Sequence, residues 1–286
     1  MQIGERRITV HSRSDKYFFH FLSDLHLGDS QCDEELIISE LKLGGQKPNH
    51  YYFFGGDIIA CIGHKDGRFL PSKLAKRFTG VDNIIDAEIS YTVELISEYL
   101  GAGQIIGLQM GNHERAALKY YSGSPTAVMV KRLNDIFPVR KDPILNLGYH
   151  CFYRIWFKRA GQTMSFIIHA HHGWGSSRTA GGNITRYDRH AMQYTADIHA
   201  YGHVHDSTLK PLVQDVKLLP KKLGLKITNS WLLCSPPFQK TLSEPGETES
   251  WAETKGFPLR PLGGAIFAVK PNWDTGELKI HPTENF

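Results

Sequence analysis

Five short stretches carry side chains that bind metal ions and move protons: Asp24-Leu25-His26, Gly56-Asp57, Gly111-Asn112-His113-Glu114, His171-His172-Gly173 and Gly202-His203-Val204-His205. Each lies at the end of, or just after, an apolar run of strand character. Pooled, Asp24, His26, Asp57, Asn112, one of His171 and His172, His203 and His205 offer two carboxylates, one amide and four imidazoles. Nitrogen and oxygen donors without thiolate suit Mn, Fe, Zn, Ni or Co rather than Ca or Mg alone. A carboxylate has two oxygens, so Asp57 can bridge a pair of ions. Two ions about 3.5–4 Å apart activate a bridging water and neutralise charge on a phosphoryl group. Phosphoester hydrolysis is the chemistry such a set serves best. His113, one residue from a ligand, is placed to protonate a leaving oxygen or stabilise the transition state. Asp24 with His26, and His203 with His205, are each two residues apart, so extended backbone would turn both members of a pair to one side. The remaining nine histidines (His11, His20, His50, His64, His150, His169, His190, His199 and His281) are read as packing or surface imidazoles.

The elements that must position these groups alternate. An edge strand is expected at Arg7 to His11 and a buried aromatic strand at Tyr17 to Leu22, with Asp24 following it. Cys32 to Leu43 has helical apolar spacing, and Gly44-Gly45 ends it. Tyr51 to Phe54 is the next buried strand and leads into Gly55-Gly56-Asp57. Strand, helix, strand in that order predicts a βαβ unit and an α/β fold. Val81 to Leu100 places Ile85, Ile89, Val93, Ile96 and Leu100 on one helical face. Ile105 to Met110 is the strand before Gly111. A helix start is expected at Arg115 to Tyr121 and a further helix at Thr126 to Ile136. Tyr149 to Phe157 and Thr163 to Ala170 read as a hairpin turning at Ala160-Gly161. A helix over Asn183 to Thr195 precedes a short strand, Ile198 to Tyr201. Leu209 to Leu233 reads as strands, Ser243 to Lys255 as a loop, and Gly263 to Val269 with Gly276 to Ile280 as a closing hairpin.

Composition bounds the partners. The 286 residues are 41% hydrophobic, enough for a sizeable core, with a formal charge of +4 that accommodates an anionic substrate. The four cysteines (Cys32, Cys61, Cys151 and Cys234) include no Cys-x-x-Cys pair, which argues against a zinc ribbon or dithiol redox centre. No apolar signal segment begins the chain and no run is long enough to span a bilayer. The expectation is a cytoplasmic protein with reduced thiols and no membrane contact. No internal repeat, low-complexity tract or linker divides the chain, so residues 1–286 are expected to form one domain.

The ordered set Asp24-Leu-His26, Gly56-Asp57, Gly111-Asn112-His113-Glu114, His172-Gly173 and Gly202-His203-Val-His205 resembles the calcineurin-like metallophosphoesterase superfamily, with matched motifs spanning residues 24–205. The resemblance implies a four-layer α/β sandwich: two mixed β-sheets flanked by helices, with a dimetal site at strand ends and residues 206–286 supplying closing strands and loops. It implies that Asp24, His26 and His205 hold one metal and Asn112, His172 and His203 the other. Asp57 would bridge them, and His113 would be the catalytic histidine. His172 is selected over His171 because it directly precedes Gly173. The implied cofactors are two divalent transition-metal ions, manganese first among them.

Substrate recognition has fewer signals. The basic run Lys65 to Arg77 and Arg178 within the Gly/Ser-rich stretch 173–182 lean toward a phosphodiester, a nucleotide or nucleic acid, with Arg178 clamping a phosphate oxygen. Tyr120, Tyr121, Trp174 and Trp251 are candidates for stacking on bases. Hydrolysis of a phosphomonoester on a protein or small metabolite, and a catalytically silent metal-bound scaffold, are the competing functions.

Overall fold

Strand β1 (Gln2–Thr9) starts five residues before the expected edge strand and lies at the margin of a sheet, in parallel register with β6 (His150–Arg159). That sheet runs on through β7 (Gln162–His171), β8 (Ile198–Tyr201), β10 (Leu225–Cys234) and β9 (Thr208–Leu218). The second sheet is ordered β12 (Glu277–Pro282), β11 (Ala265–Asn272), β2 (Tyr17–Leu22), β3 (His50–Phe54), β4 (Ile105–Gln109) and β5 (Leu145–Gly148). Both sheets are mixed, with β2, β3, β4 and β5 parallel in one and β7, β8 and β10 parallel in the other. The computed structural model describes residues 1–137, 142–175, 177, 179–218, 225–246 and 248–283.

Alternation along the strands puts the two sheets face to face. Phe19, Phe21, Phe53 and Ile106 of one sheet meet Ile155, Phe157, Phe166 and Ile168 of the other in a buried apolar layer. The outer face of the sheet that holds β2, β3 and β4 carries three helices: α1 (Glu34–Gly44), α2 (Ile84–Tyr99) and α4 (Pro125–Ile136), with Ile37, Leu41, Ile89, Val93 and Leu133 buried. The outer face of the other sheet carries α5 (Ala180–Ala191), seated through Tyr187 and Ala191 on Tyr201 and Leu232. The order helix, sheet, sheet, helix is a four-layer α/β sandwich.

Helix boundaries follow caps that periodicity does not reveal. Asp33, Asn83 and Ser124 each accept a backbone N–H three residues on, so α1, α2 and α4 begin at Glu34, Ile84 and Pro125. Helix α3 (Asn112–Ala117) begins at the first ligand of the Gly-Asn-His-Glu stretch, three residues earlier than expected. Helix α5 is likewise displaced toward the N-terminus of the expected span. Within Ser243 to Lys255, read from sequence as a loop, Ser250 caps a single helical turn, α6 (Trp251–Thr254). Strands β9 and β10 join one sheet and β11 and β12 the other, and no helix among the described residues is long and apolar enough to cross a membrane.

Several histidines outside the motifs are buried together. His20 shares a hydrogen bond with His50, and His169 lies between His150 and His199 at 3.0 Å from each. Burial pushes His20 down to about 3, His169 to about 2 and His199 to about 4, each with a neighbouring imidazole adding to the effect. These groups are neutral in the fold and take up protons near pH 6.5 when unfolded, so stability is full above that value and falls as pH drops toward the folded values. Each can contribute up to about 1.4 kcal/mol of loss one unit below the ordinary histidine value. Thermal melting of chelator-treated protein is therefore expected to fall steadily between pH 7 and pH 5, and a flat profile there would contradict the buried neutral imidazoles.

Candidate metal centre

The ligand-bearing stretches converge because five parallel strands end on one side. Asp24 and His26 follow β2, Asp57 follows β3, Asn112 and His113 follow β4, His172 follows β7, and His203 and His205 follow β8. Backbone bonds lace the turns together: Asp24 N–H donates to Gly56 O, His26 N–H to Asp57 O, and Gly202 N–H to His172 O, all at 2.9–3.0 Å. The alternation argument for aiming the paired ligands does not hold. Asp24, His26, Asp57, His203 and His205 all have φ between 47° and 72°, so left-handed turns, not extended backbone, direct these side chains. Asp and His are among the non-glycine residues that tolerate this region, and its occurrence in a cluster marks a site where surrounding structure enforces strain.

Donor atoms gather in three overlapping groups, Asp24/His26/His205, Asp57/His172/His203 and His26/Asp57/His113, each with its atoms within 4.8 Å of one another. His26 Nε2 and His205 Nε2 are 3.2 Å apart, and His205 Nε2 lies 3.4 Å from Asp24 Oδ1. On the other side His172 Nε2 lies 3.2 Å from Asp57 Oδ2 and 3.1 Å from Asn112 Oδ1, which is 2.5 Å from His203 Nδ1. His172 is thus in the cluster. His171 is turned away, its Nδ1 accepting Gly173 N–H and its ring against Tyr149, Trp174 and His190. His113 donates Nδ1–H to Ala60 O at 2.6 Å, while its backbone N–H donates to Asp57 Oδ1. Its Nε2 is therefore the nitrogen presented for chemistry. His113 groups with His26 and Asp57 as closely as the expected ligands group with one another, and His172 has a like anchor, its Nδ1 on Gly55 O at 2.8 Å.

The carboxylates and His26 are held in metal-binding form, and His172 is not. Burial lowers His26 to about 3, leaving it neutral at pH 7. Burial opposes ionisation of Asp24 and Asp57, but His205 and His172 bring Asp24 to about 2, and His172 and His113 hold Asp57 well below the usual carboxylate range. Burial also works against a charge on His172, yet Asp57 beside it, with Asp24 and the Gly55 carbonyl, raises it to about 10. Without a metal the centre thus carries a proton where a cation belongs. The donor set, two ionised carboxylates, an amide and four imidazoles of which one must shed its proton, fits a pair of divalent transition-metal ions.

Two supporting residues were not assigned roles from sequence. Glu114 is fully buried and accepts N–H from Gly111, Asp57, Ile58 and Ile59 at 2.7–3.3 Å, tying the turn after β3 to the turn after β4. Burial and the Asp57 charge raise its carboxyl to about 7. Its place three residues after Gly111, where a helix-capping carboxylate sits, was the available signal. Ser23 donates Oγ–H to Asp24 Oδ2 at 2.5 Å and fixes that ligand. Gly111 is required by close approach, since a Cβ there would fall 2.1 Å from Asp57 Oδ1.

Expected substrate contacts fare unevenly. Arg178 lies outside the described residues. In the basic run, Arg68 is paired with Asp66, and Arg77 is paired with Glu34 and lies over the Tyr91 ring, so much of that charge is already engaged. Tyr121 is partly buried with its hydroxyl on Asp86, and Trp251 stacks on Phe257. Trp174, Tyr120 and Trp251 are 37%, 41% and 51% exposed, and Trp174 is the one that follows a cluster residue, His172, by two positions.

Metal uptake should displace the His172 proton. Manganese affinity is expected to rise about tenfold per pH unit across pH 6–8, with proton release measured by titration calorimetry in buffers of different ionisation enthalpy; uptake without protons would contradict this protonation state. Glu114→Ala would strand four buried amides at about 1–3 kcal/mol apiece before water relieves them. A fall in melting temperature of more than about 6 °C is expected, together with weaker manganese binding.

No protein-family model matches the chain, and no curated protein matches it. Among solved structures it is similar to a predicted phosphoesterase from Streptococcus pneumoniae, at 14% identity and TM-score 0.33, covering 94% of this chain and 99% of that one. It is also similar to Vps29 from Entamoeba histolytica in complex with zinc (11% identity, TM-score 0.33, 93% and 98% coverage). A third is GAP50, the anchor in the inner membrane complex of Plasmodium (9% identity, TM-score 0.41, 93% and 88% coverage). Those figures are low. The two mixed sheets flanked by helices, with candidate donors gathered at strand ends, form the four-layer α/β sandwich that the motifs' resemblance to the calcineurin-like metallophosphoesterases implies.

Proposed function

We propose that this protein is a dinuclear metal-dependent phosphoesterase that hydrolyses phosphodiester bonds of a nucleotide or nucleic acid. The observation that carries the reading is Asp57, whose carboxylate belongs to donor groups on both sides of the centre. Asp24, His26 and His205 would hold one divalent ion, Asn112, His172 and His203 the other, and Asp57 both, with manganese the first candidate. Bound there, the ions supply Lewis acidity toward a phosphoryl oxygen and lower the pKa of a water held between them. Asp57 places its two oxygens between the halves because His113 N–H and the neighbouring His172 hold them apart. His113 orients its ring through Ala60 O and presents Nε2, which delivers a proton to the leaving oxygen. Access is from the side where His113, His203 and His205 are only partly covered, while Asp24, Asp57 and His172 form a closed floor. The mildly basic chain and the exposed Trp174, two residues beyond His172, support a diester with a base attached over a small phosphomonoester.

The test is turnover of bis-p-nitrophenyl phosphate by chelator-stripped protein with manganese restored. Activity should return with metal and be lost in Asp57→Asn. In His113→Ala it should fall by about 10²–10⁴ in kcat while the protein still takes up two ions. Diester turnover that survives both substitutions places the chemistry elsewhere. Turnover of only p-nitrophenyl phosphate makes the protein a monoesterase. Silence on both with full metal loading makes it a scaffold.

A further inference from the structure

Helix α5 presents a face that its own packing does not use. Gly182, Thr185, Arg186 and Arg189 recur at helical steps of three and four, opposite the buried Tyr187 and Ala191, while His190 at the margin is partly buried with its Nδ1 on the Tyr201 hydroxyl. With Trp174 across from them they bound an open groove of about 380 Å³. Among the described residues, no carboxylate lines it. Asp188, the acidic residue of this helix, points away and is ion-paired with Lys210. Arg186 gives one donor to the Trp174 carbonyl and keeps the rest of its fork, and Arg189 is exposed in the last helical turn. The Trp174 indole stands edge-on to His171, Tyr187 and His190 at centroid distances of 4.9–5.6 Å, which fixes the ring while leaving part of it to solvent.

This groove is joined to the metal centre by backbone. Trp174 is two residues beyond His172, and the intervening Gly173 (φ 111°) lies so close to the other ligand turn that a Cβ would fall 2.7 Å from Gly202 O and 3.0 Å from His203 Cβ. Tyr187, on the underside of α5, donates its hydroxyl to Gly202 O at 3.0 Å. Trp174 and α5 are therefore held in fixed relation to the turns that carry His172 and His203. A fixed, half-exposed indole flanked by unneutralised guanidinium groups matches a base with its phosphates. The groove is open and runs along about 12 Å of helix from Gly182 to His190, which suits a strand passing through rather than an enclosed small molecule.

We infer that the α5 groove binds the segment of a single-stranded nucleic acid that flanks the scissile phosphate, with a base stacked on Trp174 and backbone phosphates on Arg186 and Arg189. This deepens the phosphodiesterase reading and depends on it only for which phosphate is cleaved, since binding is measured without metal. The experiment is fluorescence anisotropy of a labelled ten-nucleotide single strand with chelated full-length protein, comparing wild type with Trp174→Ala, Arg189→Ala and Arg189→Glu. Trp174→Ala is expected to weaken binding about 10- to 100-fold. Arg189→Ala should reduce the slope of log K against log salt by about 0.7, the share of one phosphate on a single strand. Arg189→Glu, at an exposed position where folding is not at stake, should weaken binding further than the alanine. Absence of wild-type binding, binding indifferent to Trp174 and Arg189, or displacement by inorganic pyrophosphate at concentrations equal to the oligonucleotide would each overturn the groove. Strand binding with these dependences alongside a wild type inert toward bis-p-nitrophenyl phosphate would keep the groove and remove the esterase. An active esterase with no strand binding would do the reverse.

Discussion

The turns that bear Asp57 and Asn112 approach so closely that only a glycine fits between them, and a single carboxylate bridges their amides. Glu114 accepts four N–H groups in a place water does not reach, and its own charge is made tolerable by those same bonds. Everything at the centre inherits this clamp. It sets where Asp57 lies, which sets where His172 and the His113 backbone lie, since both bond to the Asp57 carboxylate. It also starts α3 at Asn112, so the candidate amide donor stands on the first residue of a helix instead of on a free loop. The aromatic layer between the sheets provides the rigid base, because strands whose faces are filled by Phe19, Phe53, Phe157 and Phe166 cannot slide to let the turns drift apart.

Electrostatics completes the arrangement. Two carboxylates and four imidazoles packed together would be unstable if all of one sign were charged. The arrangement resolves this by keeping Asp24 and Asp57 ionised, His26 neutral and His172 protonated. That pattern lets one ion replace one proton with little other rearrangement, which is the behaviour of a preorganised site. The other histidines follow a different logic. His150, His169 and His199 are an imidazole chain within a sheet, neutral and structural, as their burial demands.

Much of this was legible in residue types and order. The parallel strands announced themselves as short apolar runs, each followed by a small residue and a ligand, and the apolar face of α2 could be read from Ile85, Ile89, Val93 and Ile96. What sequence could not convey were facts about distance. Periodicity does not show that Asp33 or Asn83 caps a helix, nor that the turn of α6 forms where Ser250 accepts the Glu253 amide. The Asp24/His26 and His203/His205 pairs share their spacing with extended strands, but left-handed turns bring Asp24 and His26 together and send His203 and His205 to different donor groups. Glu114 stood in plain view within its motif, yet its role needs the turn after β3, distant in sequence. The groove on α5 was hidden for a related reason: Trp174 and Arg189 belong to separate runs that only the packing of Tyr187 against the sheet brings together.

The left-handed backbone at Asp24, His26, Asp57, His203 and His205 also bears on engineering. Each such residue costs of order 1–3 kcal/mol wherever the surroundings do not enforce it. A graft that copied only these side chains onto straight strands of another scaffold would aim them wrongly, and one that copied the dihedral angles alone would relax. The transferable unit is larger than the set of candidate donors: it includes Ser23, Gly56, Gly111, Glu114 and Gly202, which hold the turns in place. For a designer, the centre is best regarded as a joint between two sheets, with the donors as its visible surface.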